Sequence, residues 1–144
     1  MKLASLRNET RDGQLIVVNR QLTQATAVPD IAPTLQFALE NWDSCAPKLE
    51  QVFLQLQQGK IDQVFTFNTA DAAAPLPRSY HWADGSAYVT HVELVRKARN
   101  AELPDSFWTD PLMYMGASDA FIGAEDNILV ESEDWGIDFE SEVA

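Results

Sequence analysis

Near the end of the chain, Asp138, Glu140 and Glu142 alternate with Ile137, Phe139, Ser141 and Val143. If residues 136–144 form a strand, the two sets fall on opposite faces, and successive carboxylates on one face stand roughly 6.8 Å apart at their Cα atoms. Like charges that close repel. A divalent cation that collects several carboxylate oxygens would relieve the repulsion. So would an acidic face turned to solvent. The pattern leaves both readings open.

Charge is distributed unevenly around this segment. The 144 residues carry a formal net charge of -12, yet residues 1–99 hold ten acidic and ten basic side chains and are neutral. Residues 100–144 hold twelve Asp or Glu and no Lys or Arg. An acidic block of this kind argues against binding a phosphate backbone, which requires a positive field. It fits a solvated face, a cation site, or basic partners elsewhere in a longer sequence. No apolar run approaches the ~18 residues of a membrane span, and the first residues lack the apolar core of a signal peptide. Cys45 is the only cysteine and has no internal disulfide partner. These features lead us to expect a cytoplasmic protein that binds neither nucleic acid nor membrane.

The elements that must position such residues are legible as an α+β pattern. Residues 2–26 read as short strands: Leu3, Ser5 and Arg7 alternate with Ala4 and Leu6, Asn8 to Gly13 is turn-forming, and Gln14-Leu15-Ile16-Val17-Val18 is apolar and β-branched. Asp30 before Ile31-Ala32-Pro33 predicts a helix start, continued at helical spacing by Leu35, Leu39 and Trp42. Ser44 is placed to cap a second helix whose Leu49, Val52, Phe53 and Leu56 share a face, with Gly59 ending it. Residues 63–67 suggest another strand. The Ala- and Pro-rich residues 68–77 lose all periodicity and read as a connector. Residues 86–99 then predict a helix with Tyr88, Val92, Val95 and Arg99 on one side, and residues 100–111 a loop. This divides the chain into a small N-terminal domain (1–67), the connector (68–77) and the beginning of a second domain (78–144). An unfinished strand at Val143-Ala144 suggests the N-terminal part of a longer protein.

Several segments, in order, resemble the fumarylacetoacetate hydrolase family, and within it bacterial fumarylacetoacetases with a short N-terminal domain. They are Lys2-Leu3-Ala4-Ser5-Leu6, Asp30-Ile31-Ala32-Pro33-Thr34-Leu35-Gln36, Trp82-Ala83-Asp84-Gly85-Ser86-Ala87-Tyr88 with His91-Val92-Glu93-Leu94-Val95-Arg96-Lys97-Ala98-Arg99, Asp110-Pro111-Leu112-Met113-Tyr114, and Gly136-Ile137-Asp138-Phe139-Glu140-Ser141-Glu142. The resemblance implies a fold of strands and two short helices followed by the start of a mixed β-sandwich roll catalytic domain. It also implies a homodimer when full-length and a truncated catalytic domain here, because the family's last acidic ligand would follow Ala144.

Carried over by position, the resemblance makes Asp84, Glu140 and Glu142 ligands of a divalent cation, Mg2+ or Ca2+. His91 becomes the catalytic histidine, and Tyr114 and Arg99 become substrate contacts, Arg99 with an offset of one residue. Animal members carry a substrate-contacting tyrosine where this chain has Ser86. The implied reaction is hydrolysis of a carbon-carbon bond in a fumarylacetoacetate-like diketo acid, giving fumarate and acetoacetate in aromatic amino-acid breakdown. A 2-keto acid hydratase or decarboxylase of the same family is the enzymatic alternative, and a non-catalytic folding or dimerisation unit is the other. An imidazole titrates near neutral pH and can take a proton from water. Seven helical residues return to nearly the same face, so a helix-start Asp84 and His91 would border one cleft. Each has a plainer role available: Asp84 as a helix cap, His91 as a helix histidine satisfied by a nearby carboxylate. His81 and the tryptophans Trp42, Trp82, Trp108 and Trp135 read as structural.

Overall fold

The computed structural model describes residues 1–86, 88–116, 121–137 and 141–144. Its N-terminal part is built on β1 (Lys2–Leu6), β2 (Gln14–Val18), β3 (Gln24–Ala27) and β4 (Phe65–Thr66), an antiparallel sheet in the order β1-β2-β3-β4. Strand β2 explains why the sheet holds. Leu15, Ile16 and Val17 are fully buried and Val18 nearly so, so this short apolar run is covered on both faces. Alternation sends Leu15 and Val17 to one side, against α1 (Leu35–Glu40) and α2 (Trp42–Gln57), through Ala38, Cys45, Leu49, Phe53 and Leu56. Ile16 and Val18 point the other way, to Ala25 and Phe67. Between β1 and β2 the chain turns at Gly13, where φ is +68° and a Cβ would stand 2.7 Å from the Leu6 carbonyl oxygen.

The helices differ in detail from the sequence expectation. Helix α1 starts after Thr34, whose Oγ1 accepts from the Phe37 N–H at 3.1 Å, and not at Asp30. Residues 28–32 form a turn instead, and the Pro33 carbonyl accepts from the Leu15 N–H at 3.0 Å. Asn41 breaks the helical run, so Leu39 and Trp42 do not continue one buried stripe; both are exposed, and Ala38 packs in their place. Helix α2 begins after Asn41, leaving Ser44 inside its first turn, where the hydroxyl donates to the Asn41 carbonyl. The expected stripe of Leu49, Phe53 and Leu56 is buried, and Gly59 follows the helix with φ +66°.

Residues 68–77 lie along the free edge of β1. Ala72 bridges to Leu6, the Ala73 N–H donates to the Ser5 carbonyl at 2.9 Å, and the Ser5 hydroxyl donates to the Pro75 carbonyl at 2.6 Å. The segment therefore protects a strand edge that would otherwise present unpaired backbone.

In the second part, β5 (Ala83–Ser86) and β6 (Leu112–Met115) pair antiparallel and α3 (Val89–Ala98) lies between them in sequence. Ser86 thus ends a strand rather than starting the helix, which begins at Val89 after Tyr88. The loop expected over residues 100–111 contains a 3-10 turn at Asp105–Trp108 that buries Phe107. The strand expected at residues 136–144 falls partly on 138–140, outside the described residues; the described residues on either side of that gap have no strand pairing. No helix among the described residues is long and apolar enough to cross a membrane.

Ion pairs join the two parts. Arg7 Nη2 meets both Asp126 oxygens at 2.6 Å, and Arg78 makes a forked contact with Asp12 at 2.8 and 2.5 Å. Asp126 is held below its ordinary carboxylate range by the bond from Arg7 and then by the Gly123 N–H. The bond from Arg78 does the same for Asp12.

The folded protein therefore holds both carboxylates more acidic than the unfolded chain does, so their stabilisation is full above about pH 4 to 5 and vanishes as pH falls through the depressed folded values. Urea unfolding between pH 6 and 2.5 will show stability falling with acidification, with a shallower slope in an Arg7→Gln, Arg78→Gln variant; equal slopes would refute the assignment. Leu49→Ala will lose about 2–5 kcal/mol in the same assay, against less than about 0.5 kcal/mol for the half-exposed Leu54→Ala.

Candidate active site

The register of β5 and β6 sets the site. Asp84 stands opposite Tyr114 and Ser86 opposite Leu112, while Ala83 and Gly85 oppose Met115 and Met113 on the alternate face. Directly opposed residues project to the same side of an antiparallel pair. Asp84, Ser86, Leu112 and Tyr114 therefore share one face. The other face leaves Met113 and Met115 exposed.

Tyr114 packs beside an aromatic ring on the same face. Its ring lies 5.6 Å from the Trp82 ring, centroid to centroid, and Trp82 also meets Phe121 at 6.1 Å. The Gly116 N–H donates to the Trp82 carbonyl at 3.0 Å, and a Cβ at position 116 would overlap the indole itself. Glycine at this position is what admits the ring.

Helix α3 supplies the opposite wall. Within it Val92 is buried, Val95 half-buried and His91 exposed, and Arg99 just beyond its end is exposed. A cavity of about 430 Å³ opens between helix and strand pair, lined by Asp84, Ser86, Tyr88, His91, Val95, Arg99, Tyr114, Ser141 and Glu142. Five of the residues singled out from sequence, Asp84, His91, Arg99, Tyr114 and Glu142, thus line one cavity. Glu140 lies outside the described residues. His81, exposed and preceding β5, does not line the cavity.

The route by which these residues meet differs from the sequence expectation. Asp84 sits in strand β5 and caps no helix, so the two-turn helical spacing to His91 does not apply. The chain instead passes from β5 into α3 within a few residues, folding strand and helix against one space. Sequence reasoning missed Tyr88 and Ser141 as lining residues. Tyr88, expected on one side with Val92, Val95 and Arg99, is 83% exposed and borders the cavity together with Val95 and Arg99. Its position immediately before the helix was the available signal.

Chemically, the cavity combines two carboxylates, an imidazole, a phenol and a guanidinium. Asp84 and Glu142 offer the hard oxygen donors that suit Mg2+, which binds one or two carboxylates and completes its shell with water or substrate oxygens. Among the described residues, no group of three His, Cys, Asp or Glu side chains comes together to hold a metal ion. Any cation here would therefore draw on oxygens beyond those two side chains.

Family models match both parts of the chain. Residues 1–78 match the family model described as fumarylacetoacetase N-terminal domain 2. Residues 80–144 match the fumarylacetoacetate (FAA) hydrolase C-terminal model, and so contain every residue named for the cavity. No curated protein matches the chain. With the two domain matches meeting at Ser79, the chain belongs to the fumarylacetoacetate hydrolase family.

Proposed function

We propose that the protein, as part of its full gene product, hydrolyses a carbon-carbon bond in a fumarylacetoacetate-like diketo acid, releasing fumarate and acetoacetate. The observation that carries this reading is the single cavity shared by Asp84, His91, Arg99, Tyr114 and Glu142. Family membership supports a hydrolytic enzyme with divalent-cation dependence. Under this reading Asp84 and Glu142 hold Mg2+ or Ca2+, together with Glu140. The bound ion supplies positive charge to the oxygens of the diketo acid.

The protein's own groups do the rest. His91 takes a proton from water as its oxygen adds to the ketone carbon, and the imidazolium then returns that proton to the carbanion released when the carbon-carbon bond breaks. One water is consumed, one carboxylic acid and one ketone form, and the imidazole is regenerated. Tyr114, steadied by Trp82, orients the substrate with its hydroxyl, and Arg99 pairs with a substrate carboxylate. The reading carries with it a homodimeric, cytoplasmic enzyme of aromatic amino-acid breakdown.

Loss of ultraviolet absorbance from fumarylacetoacetate tests the reaction directly. The full gene product with Mg2+ or Ca2+ will consume the substrate, whereas residues 1–144 alone will not; a steady absorbance from the full product with either ion overturns the proposal. His91→Asn will lower kcat by roughly 10²–10⁴-fold while leaving the circular dichroism spectrum unchanged, because the side chain is exposed. Asp84→Asn and Glu142→Gln will each raise the Mg2+ concentration needed for half-maximal activity by about tenfold or more, measured in the same assay after chelation and metal return.

A further inference from the structure

A second cavity, of about 410 Å³, lies where the two parts of the chain meet and shares no residue with the first. Its volume falls within the range of small-molecule pockets, roughly 300–1,000 Å³. The turn between β1 and β2 brings Arg11 and Asp12 to it, α1 brings Glu40, and the segment entering β5 brings Arg78, Ser79 and Tyr80. Two guanidiniums and two carboxylates therefore line one space, with no net charge. A lone anion or a lone cation entering it would meet a repelling group for every attracting one.

The four charges are not equally engaged. Arg78 and Asp12 satisfy each other in their forked contact, so that pair is closed. Arg11 and Glu40 remain. Among the described residues neither has a partner of opposite charge. Glu40 accepts from the Gln36 amide at 2.9 Å and from the Tyr80 hydroxyl at 3.1 Å, both on Oε1, which leaves Oε2 open. Ser79 adds a third unsatisfied group, because its hydroxyl oxygen is sealed from solvent and has no hydrogen-bond partner. Such orphans are uncommon in folded proteins, and rotation about χ1 would present this one to an occupant of the cavity. Apolar surface is present too. The Phe37 ring lines the same space and is 43% exposed.

We propose that this junction cavity binds a small zwitterion with an apolar side chain, an α-amino acid in chemical class. Its carboxylate pairs with Arg11 and accepts from Ser79, its ammonium meets Glu40 Oε2, and its side chain lies against Phe37. Such a ligand complements both unengaged charges at once, which neither a plain acid nor a plain amine does. Because its contacts come from α1, from the β1–β2 turn and from the segment entering β5, occupancy fastens the two parts together and raises the unfolding temperature.

Isothermal titration of the full gene product at about pH 7 with L-leucine, N-acetyl-L-leucine and L-leucinamide tests the site, since the three share a side chain and differ in charge. Leucine will bind saturably, and each blocked form, lacking one charge, will bind roughly tenfold or more weakly. Arg11→Gln will weaken leucine by a similar factor and leave leucinamide unchanged, whereas Glu40→Gln will weaken leucine and leave N-acetyl-L-leucine unchanged. Both replaced side chains are exposed, so the fold tolerates the change. Asp84→Asn, in the other cavity, will leave leucine binding intact. No saturable heat from leucine up to about 10 mM, equal binding of either blocked form, or a loss in Asp84→Asn as large as in Glu40→Gln overturns the proposal. No turnover is read, so the outcome stands apart from the hydrolase assay.

Discussion

Four paired positions, from Ala83 with Met115 to Ser86 with Leu112, are the constraint on which the candidate site depends. A strand has a side-chain period of two, so slipping this register by one residue would carry Asp84 and Tyr114 to different faces. The carboxylate and the phenol would then no longer share a cavity. Helix α3 can present His91 to that cavity only because the β5 chain leaves its strand at Ser86 and is helical by Val89. Local chemistry thus follows from a backbone pairing of four residues on each strand.

The N-terminal unit contributes stability by a different route. Its central strand is covered on both faces, and most of the fully buried apolar residues among those described lie before residue 75. In the second part Val92 and Phe107 are the buried apolar residues among those described, and Met113, Met115 and Trp108 remain exposed. The second part is anchored to the first by charge and by backbone contact: Arg7 with Asp126, Arg78 with Asp12, and the Phe121 N–H donating to the Pro77 carbonyl at 3.0 Å. Position 123 adds a steric element, because a Cβ there would stand 2.6 Å from the Ala72 carbonyl oxygen.

Much of this was legible before the structure. The β2 run and the Leu49, Phe53, Leu56 stripe announce themselves, because burial on two faces or on one helical face leaves a periodic signature. The candidate site was legible through residue order more than through periodicity, which is why Asp84 was expected to start a helix although it lies in a strand. Asp84-Gly85-Ser86 has no apolar alternation, and its strand character comes from pairing with residues 112–115, a contact invisible to a local window. The start of α1 was misjudged for a related reason. Pro33 and Thr34 both suit a helix beginning, and the tertiary bond from Leu15 to the Pro33 carbonyl selects the later one.

The tryptophan beside Tyr114 couples two kinds of evolutionary freedom. A methyl group at position 116 would collide with the indole, and the indole packs against the phenol of the cavity, so an alanine there would reach the cavity wall without itself lining it. Drift at this glycine is therefore tied to drift in what the pocket accepts. Divergence in ligand preference among related chains could be written at a backbone position that a survey of contacting side chains would pass over.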